Sequence, residues 1–430
     1  MTESPAIAPA AALLLARLKD PECLQQAIAQ APTQTRFERS THWQAHSAAQ
    51  GYTGLALVAG YAHSVLPDDG WDHVGHQFLL QAVDGVHVER LRPGLFTGLA
   101  GIAIAAHALA SDTRRYNKLL GDLDRLTANK AIELAKRVLG ADDGMPVAAF
   151  DVISGLAGVT SYLRSRIDKP ILRDALRSCV QALASLATVR RRRPRWWTPP
   201  HHILHEPARR AEPYGNLNLG LAHGVPGILA ALATSYAQGI DAPGTNRAIE
   251  HLADFLVEHQ LSDDWGPTWP STIPLRPDGR LSKAKVPTRS AWCYGAPGIS
   301  LALRHASHAL GRSDWATLAH QSITAAVRRP PAARRADSPS YCHGSAGLLH
   351  VAATLNTWAG TAASAELEAL EHELMTAIDP KRPLGIAAVE PGGNRIDHAG
   401  LLDGSPGTAL VLLSAATGAP GLWEHLFLVS

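Results

Sequence analysis

Three residues have the types and placement to share a metal ion. Cys293 lies in Ala-Trp-Cys-Tyr-Gly-Ala-Pro-Gly (291–298), and Cys342 and His343 lie in Tyr-Cys-His-Gly-Ser-Ala-Gly (341–347). Zinc accepts thiolate sulfur and imidazole nitrogen, and three such ligands leave one tetrahedral position open. An open position suits chemistry on another thiol, whose pKa a metal lowers and whose thiolate it holds as a nucleophile. Addition of that thiolate to an activated alkene builds negative charge on an enolate, which must be stabilised and then protonated. Arg289, four residues before Cys293, is a cation that keeps its proton and could stabilise the enolate; a rim ion pair is the plainer alternative. His223 could move the proton, or it could make only a structural hydrogen bond. Asp151 could orient His223 or a substrate amide, or it could cap its own helix.

These residues share a place in an internal repeat. Gly-x-x-Gly followed by an apolar run occurs seven times, at Gly51/Gly54, Gly98/Gly101, Gly155/Gly158, Gly224/Gly227, Gly295/Gly298, Gly344/Gly347 and Gly404/Gly407. The first glycines are 47, 57, 69, 71, 49 and 60 residues apart, room for two helices and their loops. The helix after each pair is apolar nearly all round and should be buried. The other helix of each interval is amphipathic: Ala131, Leu134, Ala135 and Val138 share a face, as do Ile249, Leu252 and Leu256, and Leu367, Leu370 and Leu374. Inner apolar and outer amphipathic helices repeated seven times predict an all-α, seven-fold double α/α toroid, a closed ring without uncapped end repeats. Every chemistry-bearing residue falls just before or at a first glycine, and Thr53, Thr97 and Asp403 lie at similar places in the remaining repeats.

The period breaks before Gly224. Residues 190–215, between repeats 3 and 4, are rich in Arg, Trp and Pro and contain His201, His202 and His205. Such a composition argues against a helix and predicts a long insertion of roughly thirty residues, functional or disordered. Its histidines read as surface residues and are not assigned as ligands. Trp265-Gly266-Pro267 with Lys283–Lys285 marks a second extended segment, and Pro330-Pro331 a smaller one. No linker separates two domains, so residues 1–430 are expected to form a single domain.

The bulk composition narrows the function. The chain has 430 residues, 46% hydrophobic and 18% charged, enough for a large core and too apolar for disorder. A net charge of +2 gives no field strong enough to imply nucleic acid or a membrane surface. Four cysteines make no disulfide scaffold; Cys23 and Cys179 are expected as small buried hydrophobes in helices. The apolar run Ala10–Ala16 lacks a basic region before it and reads as a helix, not a signal peptide. No apolar stretch is long enough to span a bilayer. A reducing cytoplasm is the expected location.

Together, GLAHGVPGI, RSAWCYGAPGI, YCHGSAGLL and DVISGLAG resemble the lanthionine synthetase C family of cyclases, and the resemblance runs from about Gly51 to Leu412. It implies a seven-fold double α-toroid with zinc in its mouth, held by Cys293, Cys342 and His343. The activity it implies is intramolecular Michael addition of cysteine thiols to dehydroalanine or dehydrobutyrine in a precursor peptide, as in lantibiotic and other lanthipeptide biosynthesis. His223, Asp151, Arg289 and Tyr294 stand at the positions implicated in catalysis. Its implied partners are a dehydrated precursor peptide, a separate dehydratase and a membrane-associated biosynthesis and export complex. Docking of an acidic leader peptide is one reading of the 190–215 insertion, and a solvated loop is the other.

Three rivals remain: addition of glutathione to dehydroamino acids in proteins, as eukaryotic relatives of the family suggest; prenyl transfer on another zinc toroid; and a non-catalytic, zinc-containing peptide-binding scaffold. Prenyl transfer needs a basic diphosphate pocket, for which only Arg289 is in register. A scaffold would have no need of Asp151, His223, Arg289 and Tyr294 together.

Overall fold

A computed structural model describes residues 7–37, 40–84, 86–87, 90–110, 114–190, 193–284, 286–359 and 365–430. Arg191 and Arg192 of the insertion, and Lys285, lie outside the described residues. Helices dominate, and the strands among the described residues form four two-stranded pairs. Each of the seven glycine pairs opens a helix: Tyr52–Val65, Leu99–Ala110, Leu156–Ser165, Val225–Ala237, Ala296–Leu310, Ser345–Ala359 and Ser405–Thr417. These helices are buried nearly all round, as in Val225–Ala237, where Val225 through Ser235 are all buried. Amphipathic helices alternate with them, among them Trp71–Val83, Pro170–Leu186, Thr245–Glu258 and Ser313–Arg328. Thr245–Glu258 buries Ile249, Leu252 and Leu256, the predicted face. Burying one such Leu or Ile stabilises by roughly 1.5–3 kcal/mol.

The chain divides into two compact units. One comprises Met1–Leu91, Phe96–Leu123 and Arg329–Ser430; the other comprises Arg92–Leu95 and Asp124–Arg328. The first unit holds the inner helices of repeats 1, 2, 6 and 7, the second those of repeats 3, 4 and 5, and the helix Asn117–Gly140 is divided between them at Leu123.

A shared backbone device explains the glycines. The chain approaching six of these seven helices folds back so that an earlier carbonyl lies against the glycine. A Cβ on Gly224 would sit 2.1 Å from the Asn218 carbonyl oxygen, and one on Gly227 2.5 Å from that of Leu221. Gly295 adds φ +102°, a conformation L-residues rarely adopt, and a Cβ there would lie 1.9 Å from the Arg289 carbonyl oxygen. Neighbouring loops are then joined by backbone hydrogen bonds close to the first glycine. In the second unit Val152 N–H donates to the Ala222 carbonyl (3.0 Å), and Ala222 N–H to that of Cys293 (3.3 Å). In the first unit Cys342 donates to Leu402 (2.8 Å), Leu402 to Ala49 (3.4 Å), and Ala49 to Phe96 (3.4 Å). Repeat 7 is thereby bonded to repeat 1, so the two ends of the repeat series are neighbours within the first unit.

The N-terminal helix Ile7–Lys19 packs against Ser405–Thr417, burying Leu14, Leu15 and Leu18. The last inner helix thus receives its outer partner from the start of the chain. No described helix is long and apolar enough to cross a membrane.

The insertion is more ordered than its composition suggests. Trp196, Trp197 and Arg195 are buried at 1%, 5% and 5% exposure. Arg195 donates to the carbonyls of Val138 (2.9 Å), Leu139 (3.1 Å) and Ala141 (2.9 Å), satisfying the end of the helix Asn117–Gly140. A short helix, Glu206–Ala211, forms where none was expected; proline lies in its first turn and Glu206 pairs with Arg210 four residues on. Cys179 is fully buried, and burial pushes its thiol up to about 12. Cys23 is only half-buried, with its sulfur 3.4 Å from Asp20 Oδ2, so the expectation of a buried hydrophobe fails there.

Candidate functional site

In the second unit the starts of three inner helices bring three of the predicted catalytic residues, Asp151, His223 and Tyr294, together. Asp151, 2% exposed, divides its carboxylate between two tasks. Oδ1 accepts from the N–H groups of Ser154 and Gly155, both at 2.8 Å, and so caps the turn into Leu156–Ser165. Oδ2 lies 2.7 Å from His223 Nδ1. Both readings of Asp151, cap and orienter, therefore hold at once. With Nδ1 engaged, Nε2 is the remaining ring nitrogen of His223, and 37% of the side chain stays exposed. Burial pulls the His223 pKa down, but the Asp151 hydrogen bond and charge, helped by the Cys293 charge, outweigh it and leave the pKa raised.

Tyr294 stands beside this pair, its ring centroid 6.3 Å from that of His223. Its hydroxyl accepts from Asn218 Nδ2 at 2.9 Å, and Asn218 Oδ1 in turn accepts from Gly220 N–H at 2.9 Å. Asn218 is held in a strand, Asn216–Asn218, paired with Thr272–Pro274. A Cβ on Gly220 would meet the Tyr294 ring at 2.6 Å, so only glycine lets that ring lie down. Cys293 is 6% exposed. Arg289 is half-buried on the same tight loop and makes no ion pair with a described residue.

The first unit holds the other two predicted ligands together with one that was not assigned. Cys342, His343 and Asp403 present a thiol sulfur, an imidazole nitrogen and a carboxylate oxygen, all within 4.8 Å of one another. His343 Nδ1 lies 3.2 Å from Asp403 Oδ1, a buried oxygen that finds no well-formed hydrogen bond. The donor set suits a borderline metal such as zinc, and the orphaned oxygen suits a group that positions or joins the ligands. Burial alone would raise the Asp403 pKa; the neighbouring His343 imidazole, with the His398 charge, holds it lowered. Cys293 belongs to the second unit and Cys342 with His343 to the first. Asn218 was not singled out in the sequence, and Asp403 was placed at the repeat position of the other site residues but not assigned as a ligand.

Behind Cys342 the first unit buries a further polar group. Tyr341 stacks on Phe427 at 3.6 Å and its hydroxyl lies 2.8 Å from His350 Nδ1. Burial pulls His350 down to about 3 and pushes Glu424, 3.9 Å from it, up to about 7.

The fold and the site define a class of proteins, helical-repeat proteins with cysteine, histidine and carboxylate groups at the starts of their inner helices. The chain belongs to the family described as lanthionine synthetase C-like protein, which it matches over residues 42–428. It is similar to the nisin biosynthesis protein NisC of Lactococcus lactis subsp. lactis, 27% identical over 270 residues, which cover 61% of this chain and 62% of that protein. It also shares its fold with a solved nisin cyclase, at a TM-score of 0.76 and 21% identity, over 94% of this chain and 96% of the other. That likeness puts the chain in the all-α, α/α-toroid class that its seven repeats predicted.

Proposed function

We propose that the protein is a zinc-dependent lanthionine cyclase, which adds cysteine thiols to dehydroalanine or dehydrobutyrine within one dehydrated precursor peptide. The observation that carries this reading is the His223–Asp151 pair, at 2.7 Å, placed beside Tyr294 and under the charge of Cys293. Family membership and the similarity to NisC support it. Cys342, His343 and Cys293 would hold the metal, with Asp403 orienting His343 through Nδ1. A zinc ion there would supply the positive charge that makes a substrate thiol a thiolate at neutral pH.

The remaining chemistry falls to the chain's own groups. As the carbon–sulfur bond forms at the β-carbon, the alkene π pair moves to the α-carbon and carbonyl oxygen. Arg289 stabilises the negative charge that develops on that oxygen. His223, held by Asp151 with Nε2 outward, takes up the proton released by the thiol and returns one to the α-carbon, so no net proton is lost. Asn218 fixes the Tyr294 hydroxyl near the same edge, where it steadies the imidazole or the peptide. The dehydratase and any export complex are separate partners in this reading, and the cytoplasm is its setting. No finding favours the glutathione-adding, prenyl-transfer or scaffold alternatives.

Metal titration tests the ligand assignment. The protein should bind about one zinc per chain, and Cys342→Ala should abolish tight binding. Asp403→Asn should weaken it about 10–100-fold, the usual effect of losing a carboxylate behind a ligating histidine. Unchanged affinity in Cys342→Ala would overturn the metal assignment.

A further inference from the structure

The first unit contains a cavity of about 300 Å³ that the mechanism does not use. It lies between the inner helices Ser345–Ala359 and Ser405–Thr417, toward their C-terminal ends. Cys342, His343 and Asp403 precede the opposite ends of these helices. Leu349, Val411 and His350 form a buried floor, whereas Thr357, Gly418 and Pro420 are exposed at the mouth. Glu371 enters from the outer helix Ala365–Thr376, and Glu424 from the C-terminal turn Leu422–Phe427.

The polar groups of this lining accept hydrogen bonds more readily than they donate them. Thr354 Oγ1 donates its proton to the His350 carbonyl and Thr357 Oγ1 to that of Ala353, both at 2.9 Å, so each offers a ligand only lone pairs. Ionised Glu371 and Glu424 are acceptors only, and neither side chain hydrogen-bonds a described residue. His350 Nε2 lies 3.9 Å from Glu424 Oε1, beyond hydrogen-bonding reach. The His350 side chain, 8% exposed, is fixed in place by the Tyr341 hydroxyl on Nδ1 and by stacking on Trp423 at 4.6 Å. Burial holds its pKa down to about 3, so the imidazole is neutral and repels no cation. Among the described residues no Lys or Arg lines the cavity. Burial without such a partner is what pushes Glu424 up to about 7.

We propose that this cavity binds a small aliphatic diamine, with one ammonium group paired to Glu424 and the other to Glu371. Each ammonium brings three N–H donors to a lining of carboxylates and acceptor-only hydroxyls. The methylene chain between them covers the apolar floor of Leu349 and Val411. Two carboxylates supplied by different elements select a dication over a monoamine. The inference goes beyond the cyclase reading and does not depend on it, because none of these groups belongs to the metal cluster or to the His223–Asp151 pair.

The test is isothermal titration of the full-length protein with putrescine at about pH 8, where Glu424 is ionised and an alkylammonium keeps its proton. Saturable binding at about one site per chain is expected. Glu424→Gln and Glu371→Gln keep the side-chain shape and should each weaken it at least about tenfold, a free-energy difference of about 1.4 kcal/mol. Glu371 is half-buried on an outer helix, so its variant stays informative if Glu424→Gln loses its fold. Glu250→Gln, an exposed position in the other unit, should bind as the parent does. The uncharged diol of the same chain length should not bind. Parental affinity in either folded lining variant overturns the proposal. So does saturable binding of the diol, or the absence of saturable putrescine binding up to about 10 mM.

Discussion

Asp151 is the residue on which the proposed chemistry turns, because its two oxygens serve different masters. Oδ1 is committed to the helix start and Oδ2 to His223. Asp151→Asn keeps a capping oxygen but removes the charge that outweighs burial at His223. The His223 pKa should then fall. If protonated His223 delivers the proton to the α-carbon, activity declines as pH rises through that pKa, and the alkaline limb of the kcat profile moves to lower pH in Asp151→Asn. A limb that stays put would mean that another group titrates. The sequence showed which residues share a repeat position, and contact of Asp151 with His223 was one of the readings it left open. It did not reveal the partner of Tyr294, because Asn218 lies six residues ahead of its glycine, in a strand that forms by pairing with distant Thr272–Pro274 and Thr198. Asp403 was equally hard to select, since an aspartate before a helix-opening glycine reads the same whether it caps or holds a histidine.

At the scale of elements, the glycine pairs were legible because one physical constraint repeats. A carbonyl from the incoming loop occupies the space of a Cβ, so no other residue fits. Gly295→Ala would place its Cβ 1.9 Å from the Arg289 carbonyl oxygen in a left-handed backbone conformation. It should destabilise by at least about 1–3 kcal/mol and displace the loop of Arg289 and Cys293. Gly121→Ala, in the helix Asn117–Gly140 where a Cβ meets nothing within 4 Å, should instead stabilise by up to about 1 kcal/mol. Denaturant melts of the two variants check the pair, and shifts of similar sign and size would refute the explanation. The insertion was illegible for the opposite reason. Its order depends on long-range contacts, Arg195 with the carbonyls at the end of Asn117–Gly140 and Trp196 with Phe255 and His251, which no local pattern encodes. Likewise no glycine pair announces Ile7–Lys19 as the partner of the last inner helix.

For the molecule as a whole, a buried polar group sets a pH-dependent stability. Glu424 is 17% exposed and its pKa is raised to about 7 from 4.5. A raised carboxyl pKa means that the folded state holds the proton more tightly than the unfolded one. Its contribution is complete below pH 4.5 and is lost as pH rises through about 7. His350, lowered to about 3, works in the other sense and loses stability as pH falls below 6.5. Glu424→Gln removes the first effect and leaves the second. The stability of the variant relative to the parent should therefore climb between pH 4.5 and 7 and level off above; a constant difference would refute the buried neutral carboxyl. The most direct measurement of the proposed cyclisation uses a synthetic peptide carrying one dehydroalanine and one cysteine, incubated with the zinc-loaded protein and then treated with a thiol alkylating agent. Cyclisation leaves the mass unchanged and consumes the thiol, so the parent protein should yield peptide that resists alkylation, while His223→Ala yields it about 10²–10⁴-fold more slowly. Peptide that remains fully alkylatable with the parent protein, or a His223→Ala variant that cyclises at the parental rate, would contradict the account.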